Sequence, residues 1–467
     1  SIFIVYFALM LCVGVYFYFQ NRDIDDYYVG GRSMSSWHIG LSVVATDVGG
    51  GFSIGLGGLG FGIGIAGSWM LFTGLIGAWI SAVLLIPTIS KLSAKNKFYT
   101  FPQIFEHFYN NKVALIAGII SAIGYIGFTS SQLLAGAKLA SATFIEIDLQ
   151  TALIIMGVIA VVYTGIGGLK AVIYTDTIQW IILMSGLLFI GIPFSYIAIG
   201  GMEAIKSTLG PEFLSMANVS WQELVNWGVT IIPIWFVGMT LYQRIYASKN
   251  EKQAKKAWFI AGLFEWPLMA FMGVTLGLFS RVAYESGMFA DIGYAVGTAF
   301  DAEMGLPILL NKVLPVGIIG LMLSAYFSAI LSTADSTLMA ASGNVQTDIL
   351  QKIFKFKTDA KSQLRLSQIV TLVIGTFSIV LASYMTNVLE LMLYSYAFMV
   401  SGLFIPVLVA LFTKNPSPNA AIAAMIVGGS TTVLLVVSGI SLPFNLDANI
   451  FGIMASFVIY LTINKIK

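Results

Sequence analysis

The chain has 467 residues, of which 58% are hydrophobic and only 10% are charged, and its mean hydropathy is +0.88. Since a soluble globular chain carries about 25% charged residues, we predict a polytopic protein embedded in the lipid bilayer. The net charge of +2, with no basic run interleaved with aromatic residues, argues against a nucleic-acid partner. The single cysteine, Cys12, excludes an internal disulfide and a cysteine-rich metal site.

The apolar segments predict an all-α bundle. A membrane-spanning helix needs roughly 20 apolar residues, and by that rule the chain divides into about 13 segments. Their predicted bounds are 1–19, 38–64, 68–92, 113–145, 149–165, 171–199, 225–246, 257–283, 307–345, 366–386, 389–412, 418–439 and 446–464. Between them, 93–111 and 284–305 are long enough to hold surface helices.

The basic residues predict the orientation. If the N-terminus is extracellular, all but four of the 24 Lys and Arg lie in cytoplasmic loops or the C-terminal tail. The four are Lys138, Lys206, Arg281 and Lys312, and we expect Lys138 to extend from an outer helix end toward the membrane surface. Arg244 is assigned to a cytoplasmic loop. This bias predicts a cell-membrane protein with its N-terminus outside and its C-terminus in the cytoplasm.

The order of the segments predicts an inverted repeat within one membrane domain, 1–467. Residues 38–199 form five helices that start inside, and residues 225–412 form five that start outside. An odd number of helices per unit inverts the second copy, as in many secondary transporters. A leading helix with an inner loop, 1–37, precedes the repeats, and two additional helices, 418–467, follow them.

The first helix of each repeat is irregular. Ala45–Gly51 reads Ala-Thr-Asp-Val-Gly-Gly-Gly, and each glycine costs about 1 kcal/mol in a helix interior while an acid at bilayer depth costs at least about 2.5 kcal/mol. We therefore predict a broken helix whose carbonyls and Asp47 line a site. The alternative is a continuous glycine-packed helix whose Asp47 pairs with a neighbour. In the second repeat, Pro233 with Gly228 and Gly238 predicts a similar break.

Four short motifs resemble one family. They are Asp26–Arg32 (DYYVGGR), Gly167–Val172 (GGLKAV) with Thr175–Gln179 (TDTIQ), Gln243-Arg244, and Ala329–Ser336 (AILSTADS). In this order they are similar to the sodium:solute symporter family, which includes bacterial proline, galactose and sialic acid transporters and the choline transporters. The resemblance implies a LeuT-like fold of five-plus-five inverted repeats. It also implies sodium-coupled import of a small molecule by alternating access, with Na+ as coupling ion and no other cofactor.

The resemblance also implies a sodium site. The carbonyls of Ala45, Val48 and Ala329, with the hydroxyls of Ser332 and Thr333, would supply the oxygens that a small hard cation needs. Without the resemblance, each hydroxyl is expected to bond to the carbonyl four residues earlier in its own helix.

A second cation site is implied at Asp176, which matches an acid of the sialic acid branch. Asp335 and Ser336 stand one turn from the first hydroxyl pair. The alternative is that Asp335 pairs with a basic residue of an inner loop.

The charge of Asp47 and Glu265 indicates the substrate class. A buried carboxylate requires a compensating cation, so two acids favour an amino acid, an amine or a quaternary ammonium. The alternative for Glu265 is an inward-facing gate or a pair with a cytoplasmic lysine. Further predicted substrate contacts are Thr129, Ser131, Gln132, Trp235 and Tyr396.

Other functions stay open from the sequence. A sodium symporter for a sugar or carboxylate, or a non-transporting solute sensor of the same fold, are the alternatives. A channel is disfavoured because the charges form no repeated ring. An enzyme is disfavoured because no nucleophile, acid and base cluster together.

Overall fold

The computed structural model describes residues 24–144, 146–354 and 360–465, together with Val5, Ala8, Cys12, Val15, Tyr16 and Phe19. The predicted first segment, 1–19, therefore lies mostly outside the described residues, as does the C-terminal Lys467. The described chain is built of helices and contains no β-strand, its one isolated bridge joining Met34 and Ser248.

The first repeat and its flanks contain nine α-helices: α1 (Ile24–Val29), α2 (Ser36–Ile63), α3 (Trp69–Leu84), α4 (Ile86–Asn96), α5 (Pro102–Phe108), α6 (Asn111–Thr143), α7 (Leu149–Gly186), α8 (Ile192–Ala198) and α9 (Gly201–Thr208). The remaining α-helices are α10 (Trp221–Val237), α11 (Met239–Ala247), α12 (Glu251–Leu263), α13 (Ala270–Glu285), α14 (Ala302–Val313), α15 (Val316–Gly343), α16 (Gln351–Phe354), α17 (Ala360–Ala382), α18 (Val388–Phe412), α19 (Pro418–Ser438) and α20 (Ala448–Lys465). Nine helical runs of the described residues are long and apolar enough to span a membrane, or ten if α10 and α11 form one bent span.

Two predicted boundaries are wrong. The ninth segment begins at Val316, and residues 307–313 belong to the separate helix α14. Pro315 explains the boundary, because proline limits the residue before it to extended conformations and favours the start of a new helix. The predicted eighth segment begins earlier, at Glu251, where Asn250 accepts a hydrogen bond from the amide of Gln253 as the N-cap of α12.

Helix α7 contacts α15 through two side chains. Thr164 donates to Asp335, and Ser332 donates to Asp176. By length and composition Leu149–Gly165 is a short apolar helix and Val172–Ala198 is a candidate membrane span, close to the predicted segments 149–165 and 171–199.

Both irregular helices break. In α2, Gly49 adopts φ 20° and ψ −156°, a region that favours glycine. The α10–α11 pair bends by 42° at Gly238, whose φ and ψ are −70° and 111°. Pro233, which we expected to contribute to this break, stays inside α10. Helix α2 packs against α12, α13 and α15, so its break lies in the centre of the bundle.

Candidate functional site

The break in α2 lies opposite α15. The hydroxyl of Thr333 donates to the carbonyl of Ala45 at 2.8 Å and to that of Ala329 at 3.2 Å. The second contact is the bond to the carbonyl four residues earlier that the alternative interpretation expects, but the first joins two different helices. Thr333 thus contacts two of the other four predicted sodium ligands, and Val48 directly precedes the break at Gly49.

The glycines bring these elements close together. A Cβ at Gly49 would lie 2.6 Å from Gln132 Oε1 and 2.6 Å from Thr333 Oγ1. The amide of Gly50 donates to Gln132 Oε1 at 2.7 Å, so a side chain of α6 accepts a backbone hydrogen bond at the break. The continuous glycine-packed helix is therefore wrong, because α2 changes direction where α6 and α15 approach it.

Ser332 points to a different cluster. Its hydroxyl donates to Asp176 Oδ1, and the hydroxyl of Ser42 donates to Asp176 Oδ2 at 2.5 Å. Neighbouring residues of a helix face directions about 100° apart, which explains why Thr333 faces Ala45 while Ser332 faces Asp176.

A buried guanidinium completes this second cluster. Arg244 Nη2 lies 3.7 Å from Asp176 Oδ2, and it donates to Thr46 and Ser336 at 2.7 Å each and to Ser42 at 3.2 Å. The assignment of Arg244 to a loop is wrong, because it lies within helix α11 and its side chain is fully buried. The charge of Asp176 therefore has a compensating partner within the protein.

Asp335 lies at the edge of the same cluster. It accepts a hydrogen bond of 2.5 Å from the hydroxyl of Thr164. Within the part of the chain whose side chains are described, which excludes Lys170, no basic group lies within 4 Å of Asp335. The structure therefore brings Asp176 and Ser336 together at Arg244, whereas the hydrogen-bond partner of Asp335 is Thr164.

Asp47 and Glu265 form a third, differently composed group. Both side chains are buried and their carboxyl groups interact with each other. The hydroxyl of Tyr396 lies 3.5 Å from Asp47 Oδ1. Asp47 Oδ2 and both oxygens of Glu265 have no hydrogen-bond partner among the described residues. Two alternatives were that Asp47 pairs with a neighbour and that Glu265 pairs with a cytoplasmic lysine. Among the described residues, neither acid forms an ion pair.

Two local features position Glu265. Residues 264–269 form a π-helical turn between α12 and α13, and Trp266 inside it has non-helical φ and ψ of −135° and 126°. The carboxyl group fits against α3 because residue 74 is glycine: a Cβ there would lie 2.3 Å from Glu265 Oε2. The carboxyl is thus directed into the bundle rather than along the lipid-facing surface.

The other predicted substrate contacts are spread around these groups. Gln132 lies at the α2 break, and its Nε2 donates to Ser131 Oγ at 3.1 Å. Thr129 bonds to Thr337 at 3.0 Å, which directs it toward α15 and away from the carboxyl pair. Trp235 is fully buried, its ring packs edge-on against Trp258, and its indole nitrogen has no hydrogen-bond partner in the described structure.

Lys138 corrects another expectation. Instead of extending to the membrane surface, it is 1% exposed and its ammonium lies 2.6 Å from Asp301 and 2.7 Å from Glu303. Glu303 also accepts the backbone amides of Val388 and Leu389 at 3.0 Å each. Lys138 therefore joins α6 to α14 and, through Glu303, to the start of α18.

The fold and these groups define the class of protein. Two broken helices inside an all-α membrane bundle, with buried hydroxyl and carboxyl groups around the break in α2, are the arrangement of a secondary transporter. The chain belongs to the sodium:solute symporter family, whose model matches residues 27–428. Its activity is therefore sodium-coupled symport of a small-molecule solute across a membrane, with Na+ as the coupling ion.

Three relatives illustrate the match. The chain is 27% identical to the osmoregulated proline transporter of Bacillus subtilis, over 99% of this chain and 93% of that protein. It is 27% identical to the sodium/proline symporter of Escherichia coli, over 92% and 86%. It is 28% identical to sodium/glucose cotransporter 1 of Oryctolagus cuniculus, over 76% of this chain and 58% of that protein.

The solved structures agree on the fold. A sodium-coupled sialic acid symporter in a substrate-bound outward-open state superposes with a TM-score of 0.81 and 22% identity, over 100% of this chain and 97% of that one. The expected LeuT-like architecture is thereby confirmed.

Arg244 is the charged residue of the central network that the sequence does not place in a site; Ser42, Thr46 and Thr164 are its uncharged counterparts. Arg244 belongs to the Gln243-Arg244 motif, and the distribution of basic residues predicts a cytoplasmic position for it. The available signal was the position of this pair, five and six residues after Gly238, on the second half of a broken helix.

Proposed function

We propose that this symporter imports a small solute that carries an ammonium group, such as an amino acid, an amine or a quaternary ammonium. The observation that supports the proposal is the Asp47 and Glu265 pair, which is buried and has no cation within 4 Å among the described side chains. Burying uncompensated charge costs several kcal/mol per ion. A cationic group of the solute would offset this cost, whereas a neutral sugar or a carboxylate would not.

The names of two relatives favour the same class. The Bacillus subtilis and Escherichia coli relatives are described as proline transporters, and proline is a zwitterion with a secondary ammonium. Tyr396, which touches Asp47, and Trp235 would complete an aromatic boundary for such a group, because aromatic faces attract cations.

We place the coupling sodium at the α2 break. Its ligands in this proposal are the carbonyls of Ala45, Val48 and Ala329 with the hydroxyls of Thr333 and Ser332. The contact between Thr333 and Ala45 supports the position. Ser332 would have to turn from Asp176 to complete the shell.

A second cation site at Asp176, Asp335 and Ser336 is part of the proposal. In this structure Arg244 donates to Ser336 and lies near Asp176. A second sodium ion would therefore compete with the guanidinium for the same oxygens.

The test is a thermal-shift screen of purified protein with amino acids, amines, sugars and carboxylates, in sodium or in potassium buffer. A ligand raises the melting temperature according to RT ln(1 + [L]/Kd). We expect ammonium-bearing solutes to stabilise the protein, and to do so at lower concentration in sodium. Stabilisation by sugars or anions alone would refute the substrate class, and equal affinity in both buffers would refute sodium coupling.

Matched variants assign the effect to the carboxyl pair. Asp47→Asn and Glu265→Gln each remove one negative charge and keep the shape, and we expect each to abolish stabilisation by the active amine. Glu203→Gln makes the same chemical change on α9, where the side chain is exposed, and should leave the ligand response unchanged. Saturable uptake into proteoliposomes that reverses with the sodium gradient would then distinguish transport from sensing.

A further inference from the structure

One cavity has a lining that includes neither Asp47 nor Glu265. It is bounded by α10, α18, α19 and the start of α20 and has a volume of about 410 Å³. Small-molecule sites commonly enclose about 300 to 1,000 Å³, so it can hold a small organic solute. It opens beside Asn387 and Asp447, in connections that the distribution of basic residues predicts to be extracellular.

The charged residues of this cavity are both acidic. Glu390 and Asp447 line it, and no lining residue is basic. Across the described ranges, neither carboxyl has a Lys, Arg or His nitrogen within 4 Å. Tyr394 donates to Glu390 Oε1 at 2.6 Å, and Asn226 accepts the amide of Asp447 at 2.9 Å. These bonds hold both acids in place without neutralising them.

A buried amide adds an unused acceptor. Asn449 lines the cavity, is 1% exposed and donates through Nδ2 to Thr230 Oγ1 at 2.8 Å. Its Oδ1 has no hydrogen-bond partner within the described chain. Since a buried polar atom without a partner costs about 1–3 kcal/mol, a donor from a ligand would stabilise this group.

We propose that this cavity is a separate binding site for an ammonium group, held by the carboxylates of Glu390 and Asp447 beside the ring of Tyr394. An ammonium offers both positive charge and hydrogen-bond donors, and the face of a tyrosine ring adds cation–π attraction. As a site for the transported solute, it rests on the proposed function. Its chemistry is independent of the central pair.

The position of the cavity suggests a role in solute capture. Helix α18 contributes Glu390 and Tyr394 to the cavity and, further along, Tyr396 to the Asp47 carboxyl. Helix α10 contributes Thr230 to the cavity and carries Trp235. An acidic cavity at an outer opening raises the local concentration of a cationic solute, on the same two helices that reach the central groups.

The test uses the full chain in nanodiscs with a photoreactive primary alkylamine and its uncharged alcohol analogue, mapped by mass spectrometry. We expect the amine to label 387–397 and 447–449 about tenfold more than the alcohol does, as a charge-assisted contact predicts. The double variant Glu390→Gln with Asp447→Asn should reduce amine labelling to the alcohol level. Glu146→Gln, an exposed acid in another predicted outer loop, should not.

Two lipid compositions identify the source of the ammonium group. Phosphatidylglycerol nanodiscs contain no amine, and phosphatidylethanolamine nanodiscs present one at the membrane surface. Labelling that is equal in both supports a site for free solutes, and labelling suppressed by phosphatidylethanolamine supports the same site filled by a lipid headgroup. Equal labelling by amine and alcohol, or full labelling of the double variant, would overturn the proposal.

The central carboxyl variants separate this proposal from the proposed function. Asp47→Asn combined with Glu265→Gln should lose stabilisation by amines and retain amine labelling at 387–397. If no amine is transported while the labelling pattern holds, the substrate class fails and the cavity site stands. If amines are transported and the labelling is absent, the cavity site fails alone.

Discussion

The substitution Thr333→Val gives the sharpest test of the sodium site. Valine keeps the branched shape of threonine and removes only the hydroxyl, which here lies 2.8 Å from the Ala45 carbonyl and 3.2 Å from the Ala329 carbonyl. In the proposed site this hydroxyl is one of five oxygen ligands. The substitution therefore removes one ligand and leaves the packing between α2 and α15 in place.

The expected magnitude follows from the lost contact. A hydrogen-bond-type contact to a charged group contributes about 1.5–3 kcal/mol, which corresponds to about 10- to 140-fold weaker sodium binding. The thermal stabilisation by sodium should then require a correspondingly higher sodium concentration. Potassium replaces sodium at constant ionic strength, so that general salt effects cancel and no substrate need be known.

Thr337→Val is the matched control. Thr337 lies one turn further along α15, is equally buried, and donates to the carbonyls of Thr333 and Ala334 at 2.9 and 3.0 Å. The Thr337→Val variant loses a hydroxyl group as Thr333→Val does, but this hydroxyl does not contact Ala45. An unchanged sodium titration for Thr333→Val, or equal shifts for both variants, would refute the proposed site.

Three further predictions follow from the described contacts. Lys138→Met should lower the apparent melting temperature markedly, because loss of one partner of a buried ion pair costs about 3–5 kcal/mol. Adding Glu303→Gln should recover part of this loss. If the effects of the two single substitutions simply add, the ion pair is contradicted. Gly49→Ala should abolish stabilisation by sodium, because its Cβ would lie 2.6 Å from the Thr333 hydroxyl at a φ of 20° that favours glycine; a normal sodium titration would contradict the tight approach. Burial raises the pKa of Asp447 above its ordinary value. Amine labelling of the cavity should therefore fall as the pH drops through that raised pKa and Asp447 becomes neutral, and the Asp447→Asn variant should lack this step.

The features that the sequence predicted are those with a local signature. Three consecutive glycines next to Asp47 in an apolar segment predicted the break in α2, because glycine disfavours a helix and an acid is costly in lipid wherever the rest of the chain lies. The relation between Ala45 and Thr333 came from the resemblance to a family, since nothing local links two residues so far apart in the chain. The contact between them is a property of the fold.

The features that the sequence missed depend on distant partners. Lys138 near a helix end is expected to extend to water unless acids lie within reach, and its partners Asp301 and Glu303 are more than 160 residues away. The position of Arg244 could not be predicted for the same reason, since its partner Asp176 lies 68 residues earlier in the chain. A charged side chain near a predicted helix end can extend to water or can be buried against an opposite charge. Only the fold determines which of the two occurs.

The two buried acidic groups differ in a way that bears on transport. Asp176 has a guanidinium nearby and two hydroxyl groups that donate to it, so its charge is balanced before any solute binds. Asp47 and Glu265 have each other and the hydroxyl of Tyr396, and no described cation balances them. A cationic solute can therefore gain electrostatic attraction from Asp47 and Glu265. It would gain little from Asp176, because Arg244 already balances that carboxylate. On this reasoning the solute selectivity of the protein depends on the compensating positive charge that is missing beside Asp47 and Glu265. A Glu265→Lys variant should therefore reject amines even with the sodium site intact.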